Sequence, residues 1–331
     1  AGDNYDCIVP ISGGKDSTFQ LHVLVKVYGM KVLAVTFSHN WFSETGWYNL
    51  LNSLEKFNVD HIMFTPNRGL VNRVAKRSIY KIGDACWHCH AGVRAFPLQT
   101  AVLFNIPLLV YGEPAAEGHG GASYSKPSEN DRAIFSNLSA KRDAKDMVNE
   151  TLSKRDLYPF RLPTQEEFEQ VGVRRLHLGN YIFWDDEKQT EFIRDTYGWL
   201  ETEMEGTYKG YKSAECIMPG MHDFTNYLKR GYGRGTTHAN ADVRNGLLTR
   251  EEGFELANRH DSERPESLDY LLGATGMTED EFYRVMKSHR KEALMDVEMP
   301  VRSKEKPNAE KIQPLAEQWI ERIGESQKHI Y

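Results

Sequence analysis

The chain has 331 residues, 40% of them hydrophobic, and carries 41 Lys and Arg against 47 Asp and Glu for a net charge of -6. That is enough apolar sequence to bury one large core or two ordinary ones, and the acidic balance, with no long run of one sign, argues against a nucleic-acid partner, because gripping a phosphate backbone calls for a basic stripe. The one early apolar stretch, residues 7–11, contains Pro10 and is too short for a secretion signal or a membrane span, so the expectation is a cytoplasmic globular enzyme with no membrane partner.

In chain order, residues 5–11 form an apolar run ending in a glycine loop, after which Leu21, Leu24, Val25 and Tyr28 recur at helical spacing up to Gly29. This reads as strand, loop, helix. Residues 32–37 read as a second buried strand, 47–57 as a helix and 60–64 as a third strand. Residues 70–82 and 92–104 read as helices with Cys86 and Cys89 in the turn between them, and 107–111 as a fourth strand. Such alternation predicts an α/β fold with a parallel sheet covered on both faces. Residues 114–175 break the pattern with a Gly, Ser and Pro-rich segment and then charged helical stretches, one opened by the capping box Thr164 to Glu167; they read as an insertion over the ligand-binding edge of the sheet. Residues 176–184 return to strand and 187–202 to helix. Beyond Cys216 the chain reads as mostly helical, with capping boxes from Thr249 to Glu252 and Thr278 to Glu281. The tail beyond Met299, with Pro300, Pro307 and Pro314, is expected to wrap the surface and end in a last helix. The division that follows is an α/β domain over 1–215, insertion included, and a mostly helical substrate- or partner-binding region over 216–331.

Ser12-Gly13-Gly14-Lys15-Asp16-Ser17 sits where the first strand hands over to the first helix. Two glycines let backbone amides turn inward, the helix start adds partial positive charge and Lys15 adds a full one, so a polyphosphate fits. A Walker loop would be longer and end in Gly-Lys-Ser/Thr; here Asp16 follows Lys15 and repels phosphate unless it holds Mg²⁺ or caps the helix. The plain alternative is a tight turn capped by Ser12 or Asp16.

The words Ser-Gly-Gly-Lys-Asp-Ser after a first strand resemble the PP-loop of the ATP-pyrophosphatase family. That resemblance implies an adenine nucleotide alpha-hydrolase-like fold, ATP and Mg²⁺ as cofactors, and cleavage between the alpha and beta phosphates that leaves AMP on the substrate. It makes Lys15, Asp16 and Glu113 the catalytic candidates and Ser12, Gly13, Gly14, Ser17, Phe37, Asn40 and Gly112 further nucleotide contacts, in keeping with ligands sitting beyond the carboxyl ends of parallel strands.

Four cysteines in so long a chain make no disulfide scaffold, and Cys86-Trp87-His88-Cys89-His90 places two thiols within reach of one ion, with Cys216 a distant third. Three thiolates with an open position suit an iron-sulfur cluster, or zinc if a histidine joins, whereas two ordinary buried cysteines would need no ion. His88 and His90 are placed to meet either substrate or metal, and Cys7, inside the first strand, reads as core. Cys86, Cys89 and Cys216 copy the layout by which PP-loop enzymes that thiolate tRNA hold a [4Fe-4S] cluster. The surrounding words instead resemble the N-acetyl sugar amidotransferases of surface-polysaccharide (LPS O-antigen) synthesis: Cys-Trp-His-Cys, then Leu108-Leu109-Val110-Tyr111-Gly112-Glu113. Members of that group carry a further cysteine-bearing element ahead of strand one, whereas this sequence starts almost on the strand.

Farther on, His222-Asp223, the run Tyr227-Leu228-Lys229-Arg230-Gly231-Tyr232-Gly233-Arg234 with His238 after it, and Thr249-Arg250-Glu251-Glu252 resemble the same amidotransferases, so the likeness spans most of residues 6–285. Cations beside glycine turns can clamp phosphate or carboxylate; a charged helix with a glycine hinge is the plainer reading. The likeness implies an acidic nucleotide-activated N-acetyl sugar as substrate, an acetamidino sugar as product, and a separate glutaminase subunit supplying ammonia. His88, His222, Lys229, Arg230, Arg234 and His238 are its substrate-binding candidates. The alternatives are a sulfur transferase with a cluster at the cysteines and a nucleotide sensor that binds ATP without turnover.

Overall fold

Unbroken apolar runs become the inner strands of a sheet. In the computed structural model, which describes residues 3–114, 142–296 and 298, these are β1 (Cys7–Pro10) and β2 (Val32–Phe37), followed by β3 (Asp60–Phe64), β4 (Leu108–Tyr111) and β5 (Arg174–His177). All neighbouring strands are parallel, in the order β3-β2-β1-β4-β5. Every residue of β2 is buried, as a strand covered on both faces requires. The chain runs from β1 outward to β3 and then returns to β4 on the other flank of β1, so the carboxyl ends of β1 and β4 frame a topological switch point. The glycine loop leaves β1 there.

Helix α1 (Lys15–Leu21) continues as a π-helical turn, His22–Val27, and Gly29 at φ +65 lets the chain turn away. Then come α2 (Glu44–Phe57), α3 (Arg68–Ile82), α4 (Trp87–Phe104), α5 (Gln165–Val171), α6 (Asp186–Tyr197), α7 (Pro219–Arg230), α8 (Arg234–Arg244), α9 (Arg250–Asp261), α10 (Ser267–Thr275) and α11 (Glu279–Ser288). The fold class is the one expected, a parallel-sheet α/β domain with a helical carboxy-terminal region.

The chain forms two compact units that interleave along the sequence, where the sequence reading divides it once, at 215. The first comprises Ala1–His39, Thr45–Asn67 and Trp87–Leu200; the second comprises Asn40–Glu44, Arg68–Cys86 and Glu201–Tyr331. In the first, Ile8, Leu33, Val35, Leu98 and Leu109 build a core between sheet and α4. In the second, Trp41, Val71, Ile79, Met221, Phe224, Leu268 and Phe282 form another.

Helix α2 starts at Glu44 rather than 47 and α3 at Arg68 rather than 70, and three elements depart further from expectation. Helix α4 starts at Trp87 rather than at 92, which puts Cys89 in its first turn and leaves only Cys86 in the connection. The last strand is Arg174–His177 instead of 176–184, because Gly172 in the left-handed region ends α5 and delivers residue 174 into register with Leu108. It stops in a 3₁₀ turn, Leu178–Asn180, whose Gly179 N–H donates to the Gly112 carbonyl at 2.9 Å. Helix α6 ends at Tyr197, not 202, where Gly198 at φ +70 caps it. The capping boxes at Thr164, Thr249 and Thr278 all form. The Gly, Ser and Pro-rich part of the insertion and the tail with its last helix lie outside the described residues. Among the described residues no helix is long and apolar enough to cross a membrane.

Candidate functional site

Gly13 lies in the left-handed region at φ +83, and a Cβ there would stand 2.6 Å from the Gly46 carbonyl oxygen and 2.7 Å from the Leu50 nitrogen. Only glycine meets both demands. The loop is laced internally: the Gly14 N–H donates to Ser12 Oγ at 3.3 Å, and the hydroxyls of Ser17 and Thr18 donate to the Gly14 carbonyl at 3.0 and 3.1 Å. Trp199 Nε1 donates to the Gly13 carbonyl at 2.9 Å. Both glycine carbonyls are thereby engaged by protein donors, so neither oxygen has to face an anion.

Lys15 is only 3% exposed. Its Nζ meets Asp16 Oδ1 at 2.5 Å and Asp186 Oδ1 at 2.8 Å. Burial pulls its pKa down, but Asp16, Asp186 and Glu113 together raise it above the ordinary lysine value, so the ammonium stays charged. Asp186, the first residue of α6, is a site residue that sequence reading missed. Its signal was the pair Asp185-Asp186 directly after an apolar stretch, which the sequence reading left between strand and helix with no role. Two carboxylates on one nitrogen beside the glycine loop also form an oxygen donor set suited to Mg²⁺. Gly112 lies against the loop, since a Cβ there would come 3.4 Å from the Asp16 carbonyl oxygen and 2.9 Å from the Trp184 ring. Asp186→Asn is expected to destabilise the fold by about 1–2 kcal/mol, below the full value of a charged hydrogen bond because Asp186 is partly exposed; urea titration checks it.

A second group borders Glu113. Tyr111, the last residue of β4, stacks on His177 with ring centroids 5.4 Å apart, and His177 Nδ1 donates to the Glu113 carbonyl at 2.8 Å. The Tyr111 hydroxyl is buried and has no hydrogen-bond partner among the described residues. Burial pushes its pKa up to about 12 against the pull of Arg94 and Arg175, and burial brings the Arg94 guanidinium down to about 10. The sequence reading singled out neither arginine.

Phe37, Asn40, Ser17 and His88, also expected at the site, are all buried. The Phe37 ring packs 5.9 Å from Phe64 and 5.8 Å from Phe160, centroid to centroid, and presses on Gly92, so only its backbone can serve a nucleotide. Asn40 takes φ +68 in the second unit, and Ser17 ties the loop to itself. His88 is fully buried in the first unit and hydrogen-bonds through Nε2 to the His39 carbonyl at 3.3 Å; burial, with His88 adding to it, lowers the His39 pKa to about 3.

In the second unit Arg234, Lys229 and His238, expected to bind substrate, have protein partners. Arg234 Nε lies 2.7 Å from Asp223 Oδ2, and its Nη1 donates to Ser213 Oγ at 2.9 Å. Lys229 Nζ donates to the Ile82 carbonyl at 3.3 Å, His238 Nδ1 meets Thr207 Oγ1 at 2.7 Å, and Arg230 is exposed at the end of α7. The same unit contains a cavity of about 550 Å³ lined by Glu203, Glu205, Asp223, Asp261 and Glu263, with His260 and Arg264. Of the three cysteines set aside for a metal, Cys86 meets different partners. Among the described residues, the His, Cys, Asp and Glu side chains that offer three ligand atoms to one ion are Asp84, Cys86 and His222; Cys89 and Cys216 do not belong to that group.

Residues 205–303 match the family model described as "LPS biosynthesis protein WbpG-like, C-terminal domain". No curated protein sequence matches the chain significantly. Solved structures similar to it include the NMN synthetase of Francisella tularensis, at 11% identity over 61% of this chain and 89% of that one, with a TM-score of 0.28. The U34-tRNA thiolase NcsA of Methanococcus maripaludis, described with its [4Fe-4S] cluster, is 10% identical over 92% of this chain and 77% of that one, with a TM-score of 0.31. The glutamine-dependent NAD+ synthetase of Acinetobacter baumannii, in complex with ADP, is 16% identical over 66% of this chain and 46% of that one, with a TM-score of 0.28.

Proposed function

We propose that this chain is an ATP-pyrophosphatase-type amidotransferase of lipopolysaccharide synthesis, which adenylates the acetamido oxygen of a nucleotide-activated N-acetyl sugar and replaces that oxygen with nitrogen. The observation that carries the reading is Lys15, charged and buried between Asp16 and Asp186 at the end of a glycine loop on the switch point of a parallel sheet. The WbpG-like match over residues 205–303 supports the pathway assignment.

An amide oxygen is a poor leaving group, and transfer of AMP to it makes it a better one. Ammonia then attacks the activated carbon, and AMP departs with the oxygen. In this scheme Lys15 and the loop amides bind the phosphates and stabilise the departing pyrophosphate, which is electrostatic stabilisation by groups already in place. Asp16 and Asp186 would hold Mg²⁺, which supplies further positive charge at the phosphates. Arg175, which is buried, and Arg94, which is half-buried, are further cations of the first unit for the negative charge of AMP or substrate. The carboxylates of the second unit's cavity suit sugar hydroxyls, which donate to them, better than they suit a sugar's own acidic group. The rival sulfur transfer would need three thiolates around one cluster, and Cys86 is grouped with Asp84 and His222 instead.

Ammonium at mildly alkaline pH is expected to support amidation by the isolated chain, and glutamine alone is not, because no cysteine stands in the local signature of a glutaminase. In the cell a separate glutaminase subunit supplies the ammonia. Mass spectrometry of candidate nucleotide sugars after incubation with enzyme, ATP, Mg²⁺ and either nitrogen source decides it; efficient glutamine-dependent amidation by the purified polypeptide would overturn this division. A pyrophosphate-release assay separates turnover from mere nucleotide sensing.

A further inference from the structure

The connection from α3 to α4 and the start of α7 bring Asp84, Cys86 and His222 together, with one ligand atom of each within 4.8 Å of the others. All three belong to the second unit. Asp84 Oδ1 accepts hydrogen bonds from the Cys86 N–H at 2.8 Å and from His222 Nδ1 at 3.0 Å, so the carboxylate fixes both the turn that carries the thiol and the orientation of the imidazole. Cys86 is 8% exposed and packs with Ile79, Met218 and Met221 in the apolar core, while the Asp84 and His222 side chains retain 14% and 18% exposure. A carboxylate, a thiol and an imidazole converging at the edge of an apolar cluster are an expensive arrangement for packing alone, because each must be desolvated.

We propose that Asp84, Cys86 and His222 are the three protein ligands of a zinc ion, with the fourth position open to water. Zinc takes this mixed oxygen, sulfur and nitrogen set, and the 3.0 Å between His222 Nδ1 and Asp84 Oδ1 is near the edge of about 3.3 Å that a tetrahedron with Zn–N and Zn–O bonds of about 2.0–2.1 Å would have. On binding, the Cys86 thiol and His222 Nδ1 each give up a proton to solvent, His222 keeping or taking its remaining proton on Nε2 as the neutral imidazole; the S–Zn and N–Zn bonds replace the S–H and N–H bonds, and thiolate and carboxylate balance the charge of the dication. Lys229, held on the Ile82 carbonyl, is the nearby cation that partly offsets Asp84 in the metal-free chain. One thiolate is too few for an iron-sulfur cluster, which is held by cysteines. The proposal uses no residue of the glycine loop and stands or falls separately from the ATP chemistry.

The test is metal content of the full chain, purified without chelator, together with cobalt titration of the stripped protein. One zinc per chain is expected in the wild type, in Cys89→Ser and in Cys216→Ser, and loss of it in Cys86→Ser and His222→Ala. Cobalt should give the near-ultraviolet thiolate charge-transfer band and the intense visible bands of a tetrahedral site in the wild type and not in Cys86→Ser. The wild-type cobalt spectrum needs no variant to fold, so it decides the matter if the substitutions prove unstable. A wild type that takes up neither metal, iron with acid-labile sulfide in place of zinc, or loss of zinc from well-folded Cys89→Ser would each overturn the proposal.

Discussion

Lys15→Ala is expected to lower ATP-dependent turnover about a hundredfold or more, the consequence of losing about 2–4 kcal/mol of charge stabilisation made in the transition state. Because Lys15 is buried between Asp16 and Asp186, the same substitution also reaches the fold. Breaking a fully buried pair costs about 3–5 kcal/mol; here both carboxylates are about 30% exposed and rehydrate in part, so a loss of about 1–3 kcal/mol is expected. The double variant Lys15→Ala with Asp186→Asn separates the two effects. It should recover part of the lost stability, since it removes one stranded charge, and none of the lost turnover. Unchanged turnover and an unaltered melting curve in Lys15→Ala would remove the loop from the chemistry.

Gly13→Ala should be among the most damaging single-methyl changes in the chain. The left-handed conformation at φ +83 and contacts of 2.6 and 2.7 Å with the backbone of α2 act together, for an expected loss of about 2–5 kcal/mol with nucleotide binding lost alongside. Gly29→Ala is the control, with a similar φ of +65 but nothing within 4 Å of the added methyl, and it should cost only about 1–2 kcal/mol. Denaturant midpoints of the two variants measure the difference; equal losses would mean that the close packing of loop on α2 contributes nothing.

What could be read from the sequence is what local chemistry specifies. Residues 32–37 and 60–64 emerge as strands with the expected bounds, and the three Thr-to-Glu capping boxes form because each is complete within one helical turn. The glycine loop is equally local, and its place after β1 follows from the pattern of apolar runs. Pairing across the chain left no such mark. Lys15 and Asp186 lie 171 positions apart, and Asp84 and His222 lie 138 apart. Charges can be counted in a sequence but their partners cannot, which is why Arg234 and His222 read as substrate-binding candidates with no sign that they meet Asp223 and Asp84. Cys89 read as a twin of Cys86 by spacing, yet α4 begins between them and Cys86 alone joins the polar group of the second unit.

The central claim is that this chain activates an amide oxygen with AMP so that nitrogen can replace it. The most direct measurement follows that oxygen. An N-acetyl nucleotide sugar carrying isotopically heavy oxygen in its acetamido group is incubated with enzyme, ATP, Mg²⁺ and ammonium, and the nucleotide products are weighed by mass spectrometry. The account predicts AMP and pyrophosphate, with the heavy oxygen in the AMP phosphate and an acetamidino group on the sugar. Formation of ADP and phosphate, or unlabelled AMP beside an unchanged acetamido group, would contradict it.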